Sequence, residues 1–140
     1  MTWAVYVFRG DPDDLDYEER FAPLDLERAR TAISSSEAVT DGGADVEERG
    51  DHVVIGRDAT LTDILLVRDG HGVGRAVESE VSFHPVPPAE LRADLQKLLG
   101  LFFTLGDELD AWVFDHFVRR FVARGETDEL LATYGGGFSP

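Results

Sequence analysis

The stretch Val77-Glu78-Ser79-Glu80-Val81-Ser82-Phe83 decides the fold: Val77, Ser79, Val81 and Phe83 face one way, while Glu78, Glu80 and Ser82 face the other. Strict period-two alternation marks an antiparallel strand with one buried face and one wet face. The same period extends upstream. Residues 60–67 form a longer apolar run, turned around by Asp69-Gly70-His71-Gly72. Before it, Val46 leads through a hairpin-type turn at Gly50-Asp51 into His52-Val53-Val54-Ile55. Residues 44–83 therefore predict an antiparallel meander with polar turns.

Outward from the meander, residues 3–8 are apolar on both alternate faces: Trp3, Val5 and Val7 on one, Ala4, Tyr6 and Phe8 on the other. Such a strand is expected inside a sheet and covered on both sides. Residues 24–34 follow Pro23 and repeat Leu26, Ala29 and Ile33 at helical spacing, which predicts a short amphipathic helix. Ser34-Ser35-Ser36 and Asp41-Gly42-Gly43 read as its exit loop. Downstream, Pro87-Pro88 opens a helix carrying the stripe Leu91, Leu95, Leu98, Leu99 and Phe102, with Gly106 as its stop. Residues 108–124 are expected to form a second helix and Thr127 to cap a last turn.

The expected fold is α+β: an antiparallel β-meander of about five strands, N-terminal strand central, packed against a C-terminal αα-hairpin plus one short N-terminal helix. Residues 1–134 read as a single domain and 135–140 as a loose Gly-rich tail. The chain's 140 residues suit one domain with a hydrophobic core. No cysteine is present, which rules out a disulfide framework and thiol catalysis. The apolar start is too short for a signal peptide, and no run approaches a membrane span, so the expected location is the cytoplasm.

Charge is the strongest compositional signal. Asp and Glu number 28 against 13 Lys and Arg, a net charge of −15. Twelve of those cations are arginine, and Lys97 is the single lysine. High-GC codon usage gives Arg and Asp; salt adaptation also removes Lys and coats the surface with carboxylates, and the combination here favours it. A third source is a surface built for a basic partner. The field repels phosphates and anionic lipid, so neither nucleic acid nor membrane is an expected partner.

Few motifs carry chemistry. Asp11, Asp13, Asp14 and Asp16 suggest a calcium loop, but no register puts glycine at position six and an acid at position twelve. Gly70-His71-Gly72-Val73-Gly74 resembles the start of a dinucleotide loop but leads into a strand, where a hairpin turn explains it better. Arg49-Gly50-Asp51 is turn chemistry. No two of His52, His71, His84 and His116 lie four apart on one helix, and no metal site or cofactor is expected. His84 and His116 with Asp115 form the one combination that would suit a small hydrolase or metal-assisted enzyme.

The expected helix over 108–124 holds Leu109, Ala111, Val113, Phe114, Phe117, Val118, Phe121 and Val122 in an arc of roughly 220°, wider than a surface helix needs. Trp112 falls outside that arc, beside Asp115, His116 and Arg119, either free as a binding anchor or covered by Tyr134 and Phe138 of the tail. The expected function is a non-catalytic protein-interaction or assembly subunit, self-associating or part of a larger particle. Trp112, Phe114, Asp115, Val118 and Arg119 would be its contact residues. The alternative is an acidic inhibitor or immunity-type protein for a basic toxin or nucleic-acid enzyme. Its acidic patch would comprise Asp11, Asp13, Asp14, Asp16, Glu18 and Glu19 together with Asp45, Glu47 and Glu48.

Overall fold

A computed structural model of the chain describes residues 2–9, 22–84, 88–116 and 118–138. The acids at 11, 13, 14, 16, 18 and 19 lie outside the described residues, as do the side chains of Tyr134 and Phe138. The described elements run β1 (Thr2–Phe8), α1 (Leu26–Ser35), α2 (Glu37–Thr40), β2 (Asp45–Arg49), β3 (His52–Gly56) and β4 (Thr60–Arg68). There follow β5 (Gly74–Phe83), α3 (Pro88–Leu109), β6 (Trp112–Asp115), β7 (Arg120–Val122) and α4 (Thr127–Phe138).

The fold is α+β, as the alternation predicts. A seven-stranded sheet in the order β2-β3-β4-β5-β1-β6-β7 is antiparallel at every pairing. Residues 44–83 make the expected meander, and β1 is interior, between β5 and β6. The extra strands come from residues 108–124. Instead of a second helix, this segment ends α3, forms the hairpin β6–β7 and closes in a 3₁₀ turn at Arg124–Glu126. The reversal after α3 is a Schellman closure, with Ala111 N donating to Gly106 O (2.8 Å) and Asp110 at φ 50°. Gly106 therefore does not stop α3. It sits inside the last turn because a Cβ there would lie 3.1 Å from Val113 Cγ2, where β6 crosses the helix.

Two smaller expectations also change. Ser36 accepts from Ala38 N and starts the one-turn helix α2 within the expected exit loop. Helix α4 continues through the three glycines of the tail to Phe138. Helix α1 forms close to where its spacing places it, with Asp25 capping it by accepting from Arg28 N.

Helix α3 is the centre of the molecule. Leu98, Leu99, Leu101, Phe102, Phe103 and Leu105 are all buried, which leaves only a narrow half-exposed line at Lys97, Gly100 and Thr104. A helix with so wide an apolar surface must be covered on most sides. The sheet covers one side, through Trp3, Val5, Val7, Ile55, Ile64, Leu66, Val77 and Val81, and α1, α2 and α4 cover the rest. Trp3 meets Phe102 edge-on at 5.7 Å between ring centroids.

One polar cluster ties this layer together. Arg57, just after β3, donates from Nε to Asp94 of α3 (3.0 Å), from Nη1 to the Ala38 carbonyl of α2 (3.0 Å) and from Nη2 to Asp41 (3.2 Å). Asp94 also accepts from Ala59 N (2.9 Å). The Arg57 and Asp94 side chains are 6% and 7% exposed. Burial pushes the Arg57 pKa down, but its bonds to Asp94 and Asp41 more than offset this and hold it above its usual value. Lys97 pairs with Asp41 from the outer side. Its hydrogen bond, with Gly43 N and Arg57, holds the Asp41 carboxyl well below the usual range.

Acid should therefore loosen the fold. Asp69, bonded by the amides of His71 and Val73, and Glu126, bonded by Arg120, are shifted down like Asp41. His116 is also lowered, by loss of water around its ring, against the opposing pull of Asp115. Each group binds protons more weakly folded than unfolded, so its stabilisation is full above its unfolded pKa and lost as pH falls. The urea midpoint should hold above about pH 6.5 and decline as pH falls from there, with the Asp41 contribution still being lost below about pH 3. A midpoint that rises on acidification would show that relief of net charge dominates instead.

Candidate interaction surface

All described helices lie on one face of the sheet; the other face carries none of them. Register decides what that open face displays. Phe8 stands opposite Trp112, Tyr6 opposite Phe114, and Phe114 opposite Phe121, so all five rings point away from the helices. They form a continuous chain of edge-on and tilted contacts. Trp112 meets Phe121 at 5.9 Å, Phe121 meets Phe8 at 5.7 Å and Phe114 at 5.2 Å, and the His116 ring lies between Phe114 (4.9 Å) and Tyr6 (4.2 Å). Such pairs contribute about 0.5–1.5 kcal/mol each beyond area burial, and Phe8 among them is almost fully buried. On this side β1 packs its rings against those of β6 and β7.

Trp112 ends the chain and is 49% exposed. Leu61 on β4 is also exposed and shares the face. A recess of about 430 Å³ opens beside Trp112, bounded by Arg9, Ala22, Asp110 and Ala111. Toward β4 the face turns acidic. Glu80 lies opposite Asp63, and Glu78 lies between Tyr6 and Leu65. His52 Nδ1 is 3.0 Å from Asp63 Oδ1.

The sequence-predicted contact residues separate. Trp112 and Phe114 share the open face as one surface. Asp115 does not belong with them: the strand alternation turns it inward, where it is fully buried and accepts from Val118 N (3.4 Å). Val118 packs toward the main core, and Arg119 lies exposed in the β6–β7 turn at φ 57°. Of the acids described, Asp45 and Glu47 are exposed on the open face, while Glu48 alternates to the other side of the edge strand.

His116 faces outward while Asp115 faces inward, and His84 lies past the end of β5, across β1 from both. Among the described residues, no group of three His, Asp or Glu is placed to hold a metal. A larger shallow groove, about 560 Å³, lies on the helical side near Gln96, Gly100 and Thr104. Its cations are engaged, Lys97 with Asp41 and Arg124 with Asp107.

The residues missed in the sequence are Tyr6, Phe8 and Phe121 of the ring chain and Asp63, Glu78 and Glu80 of the acidic strip. The signal for Glu78 and Glu80 was their place on the wet face of the alternating strand. For Tyr6 and Phe8 it was the second apolar face of β1.

Comparison with protein-family models, with curated proteins and with solved structures gave no match. The surface itself carries the functional argument. Among the described residues no helix is long and apolar enough to cross a membrane.

Proposed function

We propose that this protein is an interaction subunit that docks a protein partner on the open face of its sheet, with Trp112 as the anchor. The observation that carries this reading is the half-exposed Trp112 at the end of a packed ring chain. Its backbone is set by β1 and β6, and its indole is steadied by Phe121. A rigid tryptophan beside a recess is the kind of residue that dominates binding energy, because little side-chain entropy is lost on docking.

Site-directed photo-crosslinking in the native host tests it. A photoreactive residue at position 61 should give a discrete adduct, and one at Gln96 on the helical side should not. Trp112→Ala should weaken the crosslinked partner's affinity about 30-fold, the size of a ~2 kcal/mol hot spot, with the urea midpoint nearly unchanged. Adducts from the helical side alone would refute the assignment.

A further inference from the structure

The open face carries a histidine with two places to lie. His116 follows β6, and its backbone N–H donates to the Ala4 carbonyl (3.0 Å), which sets it in register with Ala4 of β1. Its ring lies edge-on between Phe114 and Tyr6, at 4.9 and 4.2 Å from their centroids, with its outer side open to water. That seat suits a neutral imidazole. Loss of water around the ring holds the His116 pKa below its usual value, against the opposing pull of Asp115.

The neighbouring ground suits an imidazolium. Across β1 the same cross-strand row runs from Ala4 to Glu80 and on to Asp63. Ala4 offers only a methyl group on this face, so nothing bulky stands between His116 and Glu80. Two strand spacings, roughly 9–10 Å, separate their backbones, a gap that the two side chains can close above Ala4. A recess of about 160 Å³ opens there, with Ala4, Asp63 and Glu80 among its walls, roughly five times the ~30 Å³ share of one liquid water. Asp63 is engaged by His52, and Glu80 is the nearer acid in the row.

The charges around His116 favour this direction of travel. Arg119 in the same turn and Arg120 of β7 repel an imidazolium from one side. Glu80 and, one row away, Glu78 of β5 attract it from the other. Asp115 attracts it too, but faces the core on the opposite side of the strand. Tyr6 of β1 adds a phenol without charge in the range below pH 8.

We infer that His116 is a proton-operated latch on the open face: neutral, it lies between Phe114 and Tyr6; protonated, it crosses Ala4 to pair with Glu80. The latch goes beyond the docking reading and stands without it, because both positions belong to one chain. A partner seated on the rings would meet a different aromatic surface on either side of about pH 6.

Residue-resolved NMR on the full chain between about pH 8 and pH 5 tests this. The Tyr6 and Phe114 ring signals should shift with the same midpoint as the His116 ring. As pH falls, through-space contacts of that ring should pass from Phe114 to the Ala4 methyl and Glu80. Glu80→Gln should lower the His116 midpoint by about 0.5 in pH, the size of one exposed charge contact, and abolish the Ala4 contact. His116→Gln should flatten the ring titration, and His52→Gln should leave it in place. A His116 ring that titrates yet keeps its Phe114 and Tyr6 contacts at pH 5 would overturn the latch. An unchanged midpoint in Glu80→Gln would remove its second position. Ring shifts that survive His116→Gln and vanish in His52→Gln would assign the response to the other histidine and overturn the inference as well. None of these outcomes bears on docking, which the crosslink at position 61 reads separately.

Discussion

Arg57→Ala is expected to lower the unfolding free energy by about 3–5 kcal/mol, the usual result of removing one partner from a buried ion pair. The loss comes less from the missing attraction than from what remains. Asp94 stays almost fully buried on α3 with its negative charge facing the β3–β4 turn, and the Ala38 carbonyl of α2 loses a donor. Ala59 N still bonds to Asp94, so the carboxylate cannot withdraw without orphaning that amide. Urea unfolding measures the cost. An Arg57→Met/Asp94→Leu double variant should recover only part of it: the unpaired buried charge is gone, but Ala59 N loses its acceptor. A loss under about 1 kcal/mol, typical of exposed pairs, would show that water reaches the cluster and that it does not bind the layers together.

Gly74→Ala should cost about 3 kcal/mol, the upper end for overfilling a packed site. A Cβ at this position would lie 2.5 Å from the Leu24 carbonyl oxygen and 2.5 Å from Leu26 Cγ. One obstacle is backbone and the other is a buried side chain, so neither yields cheaply. Leu24 N also donates to the Gly74 carbonyl (2.9 Å), which means the entry to α1 is seated on the first residue of β5. Urea unfolding, with amide exchange at Leu24, reads both the global and the local effect. Gly100→Ala is the matched control: its Cβ meets nothing within 4 Å, and removing a mid-helix glycine should stabilise by up to about 1 kcal/mol. Equal losses at the two glycines would mean that the close approach at Gly74 is not what constrains it.

These sites show which parts of the fold were legible. Period-two alternation is a strong signal where one face is wet, and residues 44–83 formed the strands it marks. Residues 108–124 misled because apolar side chains at nearly every step satisfy both periods. Trp112-Val113-Phe114 and Phe121-Val122 are short, aromatic and β-branched, a strand composition that the 3.6-residue count overrode. The reversal at Asp110 also uses a left-handed aspartate where glycine is the usual marker. The enclosed helix was anticipated but assigned one element too late; it is α3. Trp112 and Phe114 share a surface, but not the helical one expected. On a strand they sit two apart on one face, and the same alternation carries Asp115 into the core. The acidic strip needed pairing register, which places Asp63 against Glu80 from distant parts of the chain.

The position of β1 also governs the order in which the molecule can assemble. Its two neighbours in the sheet are β5, where Thr2 meets Ser82, and β6, where Val5 meets Asp115. β1 precedes both of these strands in the chain and has no partner until they have been made, while the hairpins from β2 to β5 can close locally within microseconds. Loop-closure entropy must be met before these long-range pairings form, so β1 insertion is the step expected to limit the folding rate. Until then a six-residue core of Trp3 to Phe8 stands with both edges open, a segment whose safety in the cell depends on how quickly the rest of the sheet arrives.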